Sequence, residues 1–418
     1  MEPARRMLSS MNRKPGMADP FNALCPFGLF ENLHFARFVI LDDQTLGDTE
    51  LYGIKPRALP VYLAFLGDFD GNYDDFIDDL SARASSGLAQ IFSLCDDSPR
   101  SENLASWMRR HETRSATSYG NWVGRTVRQC REEAQLASAL RDRLDASPHL
   151  AEATPSEVHR ELRSFVQSEQ AVGRLPLTPA ADTPFAWSVR HAWRVITIVL
   201  LIVLGIITLP LTFIPLLVIV FWLRKLEKSD PEFAPRPTED WADGLAALED
   251  YSVTNQFSAM GSIKPGVFRR VLARVILWVV NLSTQVIYTK GRLARVHSIH
   301  SARWVYIDGG MRLLFVSNYD ASLDSYMDDF INKVAFGLNA VFSNGIGYPR
   351  TDWLVLKGAK NEQLFKYFIR RHELPTEVWY NAHEGFTAVD LERNSRIRDG
   401  IQRRGMSDRD LASWVAML

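Results

Sequence analysis

A chain of 418 residues has room for two or three domains with cores of their own. Its formal net charge of −1, from 48 Lys and Arg against 49 Asp and Glu, leaves no basic footprint and excludes nucleic acid as the organising partner. Three cysteines, Cys25, Cys95 and Cys130, are scattered without ligand spacing, which argues against a disulfide framework, a zinc site or an iron–sulfur site and for a reducing compartment.

In chain order, residues 1–30 read as an N-terminal arm. Its Arg5, Arg6, Arg13 and Lys14 are followed by no apolar run before Pro20, so no secretory signal is expected. Residues 31–145 contain HFARFVILD (34–42) and LAFLGDFDGNYDDFIDDL (63–80), and residues 298–418 contain HSARWVYID (300–308) and LLFVSNYDASLDSYMDDF (313–330). Phe65, Asp70, Asp74 and Asp78-Asp79 match Phe315, Asp320, Asp324 and Asp328-Asp329 at a constant offset of 250. The same offset relates Gly87-Leu88 to Gly337-Leu338 and Pro99-Arg100 to Pro349-Arg350. Further on, Arg110-His111-Glu112 matches Arg371-His372-Glu373, and Tyr119 matches Tyr380. This is a duplicated unit.

In the second copy the alternation of HSARWVYID predicts a strand, Gly309-Gly310 a tight turn and Met311 to Ser317 a second strand. Apolar positions from Ala321 to Phe336 recur at helical spacing after the candidate cap Ser322. Trp353 to Lys357 reads as a strand and Glu362 to Arg371 as a helix. A last strand is expected at Trp379 to Ala382 or Phe386 to Val389. The first copy lacks the counterpart of TDWLVLKGAK, so it is expected to be degenerate. The fold class expected is α+β: two ferredoxin-like repeats, of the dimeric α+β barrel type, separated by a hydrophobic membrane hairpin or span.

Between the copies lie a helix and linker (146–190), a membrane segment (191–228) and a membrane-proximal loop with an amphipathic helix (229–297). From Val195 to Leu223 there is no charged residue. A straight helix over that stretch would reach roughly 43 Å, more than the ~30 Å hydrocarbon core needs. Pro210 and Pro215 could instead place a turn at LPLTFIP and make a hairpin. Arg190 and Arg194 before the run, with Arg224, Lys225 and Lys228 after it, put positive charge at both ends, and positive ends stay cytoplasmic. A hairpin also keeps the two copies on one side, so it is the preferred shape. Phe268 to Val296, with arginines at both ends of an apolar body, reads equally as a helix in the headgroup region or as one packed on the soluble part.

The C-terminal part resembles a bacterial family of hypothetical, peroxidase-related membrane proteins. The residues that carry the resemblance are VTNQFSAMGSIKPG (253–266), IHSARWVYIDGG (299–310), LLFVSNYDAS (313–322), GYPRTDWLV (347–355), RRHELPTEVWYNAH (370–383) and ERNSRIRDGI (392–401). The two-copy layout is similar to the dimeric α+β barrel superfamily, which includes haem-binding dye-decolorizing peroxidases and chlorite dismutases. That likeness makes haem the one cofactor to test. Gly67-Asp68-Phe69-Asp70-Gly71 carries the letters of the GxxDG motif of those peroxidases, while the second copy has Ser317-Asn318-Tyr319-Asp320-Ala321. No proximal histidine follows from a motif.

Within the second copy His300, Arg303 and Asp320 are the candidate catalytic residues, with Asn318, Arg350, His372, Tyr380 and His383 as candidate ligand-binding residues and no metal site. An imidazole can serve as acid or base near neutral pH. Arg37 and Arg303 stand within strands among apolar neighbours and need a partner, expected in the Asp70/Asp320 region. No G-x-S-x-G, Walker loop, Rossmann fingerprint, H-E-x-x-H or EF-hand pattern is present. The reading that follows is a protein of the inner membrane, its soluble parts facing the cytoplasm, that binds or modifies an apolar, lipid-like ligand with a small polar head. The partners expected are membrane lipid and that small apolar ligand. A haem-dependent peroxidase-like oxidoreductase and a membrane scaffold for a partner enzyme are the alternatives.

Overall fold

The computed structural model describes residues 1–99, 103–180 and 182–418, so Arg100 of the Pro99-Arg100 match lies outside the described residues. The fold is mixed α+β. It opens with α1 (Glu2–Ser9), β1 (Asn12–Lys14) and β2 (Met17–Ala18). Then come β3 (Leu33–Leu41), β4 (Tyr62–Phe69), α2 (Tyr73–Arg83), α3 (Ser85–Phe92), α4 (Leu104–Arg110) and β5 (Thr117–Gly120). Helices α5 (Val127–Asp145), α6 (Pro155–Ala171), α7 (Phe185–Ser229) and α8 (Glu239–Ala246) follow. The second half contains β6 (Thr254–Ser262), α9 (Val267–Val286), β7 (Ile299–Ile307), β8 (Arg312–Asp320), α10 (Leu323–Lys333) and α11 (Ala335–Phe342). It ends with β9 (Thr351–Asp352), β10 (Leu356–Lys357), α12 (Glu362–His372), β11 (Thr376–Asn381), α13 (Ala388–Gln402) and α14 (Asp408–Val415).

The order strand, strand, three helices, strand occurs from β3 to β5 and again, with the small β9–β10 hairpin added, from β7 to β11. The last strands are exchanged. Sheet A runs β1-β2-β11-β3-β4 and sheet B runs β5-β7-β8-β6. Tyr119 of β5 pairs with Ala302 of β7, and Tyr380 of β11 pairs with Ala36 of β3.

Alternation explains how the sheets stack. On β3, Ala36, Phe38 and Ile40 meet the helices outside sheet A, while Val39 and Leu41 meet Met260, Val305, Leu314 and Val316 of sheet B. Each fully buried side chain of this kind contributes about 1.5–3 kcal/mol. Outside sheet B, Leu323, Tyr326, Met327 and Phe330 supply one face of α10. Ser322 caps that helix by accepting from Ser325 N, as expected from its position. The preceding residue, Ala321, holds φ 70° where the first half has Gly71 at φ 95°. A Cβ in this left-handed region costs about 1–2 kcal/mol. A third cluster joins α5, α6, α13 and α14 through Leu136, Leu140, Leu162, Ile397 and Trp414.

Two expectations are corrected, and of the two places expected for the last strand the first, Trp379 to Ala382, is the one that overlaps it. Of Trp353 to Lys357 only Leu356–Lys357 is strand: Trp353 and Leu354 have φ of 54° and 69° and form the turn of the β9–β10 hairpin. Their amides donate to the buried Glu227 carboxylate at 2.9 and 2.7 Å, which selects the turn. The last strand is Thr376–Asn381, while Phe386 to Val389 leads into α13. The turn at LPLTFIP is not formed, because α7 runs unbroken for 45 residues through Pro210 and Pro215. Among the described residues it is the one helix long and apolar enough to cross a membrane.

Helix α7 is fastened near both ends. Leu223 and Glu227 are buried at its C-terminal end. Ahead of its N-terminal end, Thr178 donates from N and Oγ1 to the Glu132 carboxylate at 2.6 Å each. Helix α9 buries Arg269, Ala273 and Leu277 and turns Val267, Val271, Val275, Trp278 and Val279 outward.

Candidate functional site

Exchanging the last strands brings β3, β4, β5 and β7 to one cavity of about 450 Å³. Its polar wall is His34, Asp68, Asp70, His300, Ser301 and Arg303, and its apolar wall includes Phe35, Phe69, Trp122 and Leu391. His383 closes it from the segment after β11.

Two His–Asp pairs stand at matching places. His34 Nε2 lies 3.0 Å from Asp70 Oδ1, and His300 Nε2 lies 2.7 Å from Asp320 Oδ1. Each aspartate also accepts from the first amide of a helix: Val127 N of α5 to Asp70, and Ala388 N of α13 to Asp320, both at 2.8 Å. The helix N-terminus favours the carboxylate, and the carboxylate fixes a proton on the facing Nε2. In the first pair this leaves His34 Nδ1 to meet His383 Nε2 at 2.8 Å, so Asp70, His34 and His383 form a chain able to pass one proton. Burial above all, with the cationic surroundings that include Arg131, holds His383 well below the ordinary imidazole range.

The arginine partners lie in the expected region, two residues before the aspartates named. Arg303 bonds Asp68, not Asp70 or Asp320, because those two carboxylates are taken by histidines and helix termini. Arg37 crosses to sheet B and donates to Phe257 O at 2.8 Å, Ser317 O at 2.9 Å and Asn318 Oδ1. Asn318 occupies the place that Asp68 holds in the first half, and its Nδ2 donates to Asp68 Oδ2 at 3.2 Å. Asp68 is therefore the one carboxylate bonded into this Arg37–Asn318–Arg303 cluster. Burial lowers Arg37 to about 10, against the opposing pull of Asp68.

Of the residues singled out from sequence, His300, Arg303 and His383 line the cavity, with Asp320 and Asn318 directly behind it. Three lie elsewhere. Tyr380 follows Trp379 on β11, so it points to the opposite face and stacks on Phe27 at 5.4 Å. His372 ends α12, with Nδ1 2.8 Å from Phe368 O, in contact with a separate cavity of about 40 Å³. Arg350 donates to Asp230 O at 3.1 Å, beside the end of α7. The site also contains His34, Asp68, Asp70, Ser301, Trp122 and Arg125. The repeat marks His34 and Asp70 as the counterparts of His300 and Asp320, but nothing local marks Trp122 or Arg125. The guanidinium of Arg125 stacks over the Trp122 ring at 4.3 Å and pairs with Glu133 at 3.2 Å. Burial pushes the Glu133 carboxyl up to about 7 and the Cys130 thiol up to about 12.

The residues of this cavity do not fit a haem. Nε2 of each of His34, His300 and His383 is engaged by a carboxylate or another ring. His372 Nε2 is without a partner, but the adjoining cavity of about 40 Å³ holds water-sized groups only. Among the described residues, no group of three or more His, Cys, Asp or Glu is placed to hold a metal ion.

Because His383 is kept neutral by burial, its folded pKa lies below the 6.5 of an unfolded chain. Below that pH the unfolded chain binds more protons, so this ring's contribution is lost as pH falls. The buried Glu133 and Glu373 have raised values and act with the opposite sign. The informative quantity is therefore the stability difference between the protein and His383→Gln. It is expected to shift in favour of the variant by about 1.4 kcal/mol per pH unit below pH ~6.5. Urea midpoints between pH 5 and 7.5 measure it, and a difference independent of pH would mean that His383 is not held neutral.

Compared with family models, curated proteins and solved structures, the chain finds no match.

Proposed function

We propose that this is a membrane-attached protein that binds, or modifies, an apolar molecule with a small polar head. The observation that carries the reading is the two-sided cavity of about 450 Å³, apolar at Phe69, Trp122 and Leu391 and polar at Asp68, Ser301, Arg303 and His34. Such a lining holds a ligand by its apolar body and fixes its orientation by a few convergent polar groups. A hydroxyl or carboxyl head is the group that Ser301, Arg303 and the His34–His383 chain suit, since they offer donors and a transferable proton together. The architecture behind it we read as a duplicated ferredoxin-like unit of the dimeric α+β barrel type, with the last strand of each copy passed to the other.

The membrane part of the reading is supported by the apolar length of α7 and the outward apolar face of α9. Trp222 and Trp353 stand where the apolar run ends, with Lys225 and Arg224 over their rings at 5.5 and 5.6 Å. Aromatic rings beside cations mark a membrane–water boundary. We place the soluble parts on the cytoplasmic side, because Arg190, Arg194, Arg224, Lys225 and Lys228 flank both ends of the run.

The test uses the whole chain in mild detergent. Mass spectrometry identifies any small molecule that copurifies, and calorimetric titration with octanoate and octanol measures the site directly. Arg303→Ala is expected to weaken the tighter of the two by about tenfold or more, with circular dichroism unchanged. Undiminished binding in a folded Arg303→Ala protein would remove the assignment.

A further inference from the structure

We propose that the outer edge of β4 is a docking site for an extended, uncharged segment of a second polypeptide, which adds to sheet A the strand that β6 supplies to sheet B. The inference goes beyond the ligand reading and does not depend on it. In sheet B, β8 lies between β7 and β6. In sheet A, its counterpart β4 pairs with β3 on one side, and no described strand pairs with it on the other. The correspondence is residue by residue, Phe65 with Phe315 and Asp70 with Asp320.

Strand β6 does two things for its half. It pairs antiparallel with β8 from Thr254–Asp320 to Ser262–Arg312. It also joins the segment ahead of β11, where Leu374 N donates to Ser258 O at 2.8 Å and Ala259 bridges Glu373. The residues matching Glu373 and Leu374 in the first half are Glu112 and Thr113. They border a cavity of about 1190 Å³ that runs along β4 from Tyr62 to Phe69 and reaches inward to Val305 and Leu314. The open space therefore has the borders of a missing strand: β4 on one side, Glu112 and Thr113 on the other.

An exposed strand edge presents unpaired N–H and C=O groups, and proteins protect such edges with charges, proline or a bulge. From Tyr62 to Phe69 the only charged residue is Asp68, which is already bound to Arg303, and there is no proline. Added strands gain affinity from main-chain hydrogen bonds and selectivity from alternate side chains. The template for the occupant is β6 itself, nine residues without a charge. Its Phe257 and Ala259 face the helices, and its Met260 faces between the sheets. A charge at an inward-facing position of the occupant would be buried against Leu66, Val305 and Leu314, which is costly.

The probe is a fluorescein-labelled peptide of sequence TNQFSAMGS, residues Thr254–Ser262, added to the full chain in detergent. Its control carries proline at the third, fifth and seventh positions. We expect saturable anisotropy binding, weakened at least tenfold by the prolines. Hydrogen exchange is expected to slow at Tyr62–Phe69 and Glu112–Ser115 and to stay unchanged at Arg312–Asp320. Absence of binding, equal binding of the proline peptide, or protection on β8 in place of β4 would each overturn the proposal. So would β4 amides already as protected as those of β8 without peptide, and self-association of the chain through β4 would make a second copy the occupant instead.

Discussion

Replacing Arg37 by methionine is expected to destabilise the protein by about 3–5 kcal/mol. The guanidinium is 3% exposed and lies within a strand of sheet A, yet its bonds are to sheet B. Nη1 donates to Phe257 O and to Ser258 Oγ at 3.1 Å, and Nη2 donates to Ser317 O and Asn318 Oδ1. Phe257 and Ser317 are register partners on β6 and β8, so one side chain pins two strands of the opposite sheet. Methionine has a similar reach but leaves these acceptors facing an apolar group, each at a desolvation cost of about 1–3 kcal/mol. Arg83 provides the contrast. It pairs with Asp79 at 2.6 Å on the helix surface, with its side chain half exposed. Arg83→Met is therefore expected to change stability by no more than about 0.5 kcal/mol. Urea midpoints of the two variants compare them directly, and a difference below about 1 kcal/mol would deny Arg37 its cross-sheet role.

The second large effect concerns α7. Deleting residues 195–222 and bridging the gap with a short Gly/Ser linker is expected to move the protein from the carbonate-resistant membrane fraction to the aqueous fraction. This stretch is the densest run of exposed large apolar side chains among the described residues. A single Leu204→Arg change would cost about 2.5–3.5 kcal/mol in a bilayer centre and almost nothing in water, which makes it a milder form of the same test.

The tethers at the two ends add a geometric constraint. Thr178 is bonded to Glu132 on α5, and seven residues later α7 begins at Phe185. Seven extended residues reach at most about 25 Å, less than the ~30 Å hydrocarbon core. For both tethers to hold in a bilayer, α7 would have to bend from the unbroken helix of this structure so that Thr178 and Glu227 stay on one face. Pro210 and Pro215 lack the N–H that would bond the carbonyls of Ile206 and Leu211, so a bend is cheapest there. Cysteines introduced at Ser188 and Ser229 are expected to react with an impermeant maleimide from the same side of sealed vesicles. Labelling from opposite sides would require the Thr178–Glu132 contact to be broken in the membrane.

Much of the architecture was legible because it rests on local pattern. The alternation of HSARWVYID, the helical spacing after Ser322 and the uncharged run from Val195 are properties of neighbours in sequence, and the elements they predict are present. The repeat also matches Asp70 with Asp320 and His34 with His300, but on sequence alone those aspartates fall to the arginines, and the His–Asp pairs appear only in the structure. Local pattern failed where a distant group chose the conformation. Trp353 and Leu354 look like strand residues and become a turn because Glu227, more than a hundred residues earlier, binds both their amides.

By itself, then, the sequence determined that the chain is α+β, that segments of its two halves match, that it carries one apolar run long enough for a membrane, and that Arg37 and Arg303 needed partners. Only the tertiary structure decided who those partners are. Strand exchange carries β5 into sheet B and β11 into sheet A, and this brings Trp122 and His383 to the same cavity. It also decided that Arg303 meets Asp68 and that Arg37 meets Asn318 across the sheets. The physical reason is that hydrogen-bonded pairing of strands and burial of charge are settled between segments far apart in the chain, where periodicity carries no information about which edge will be met.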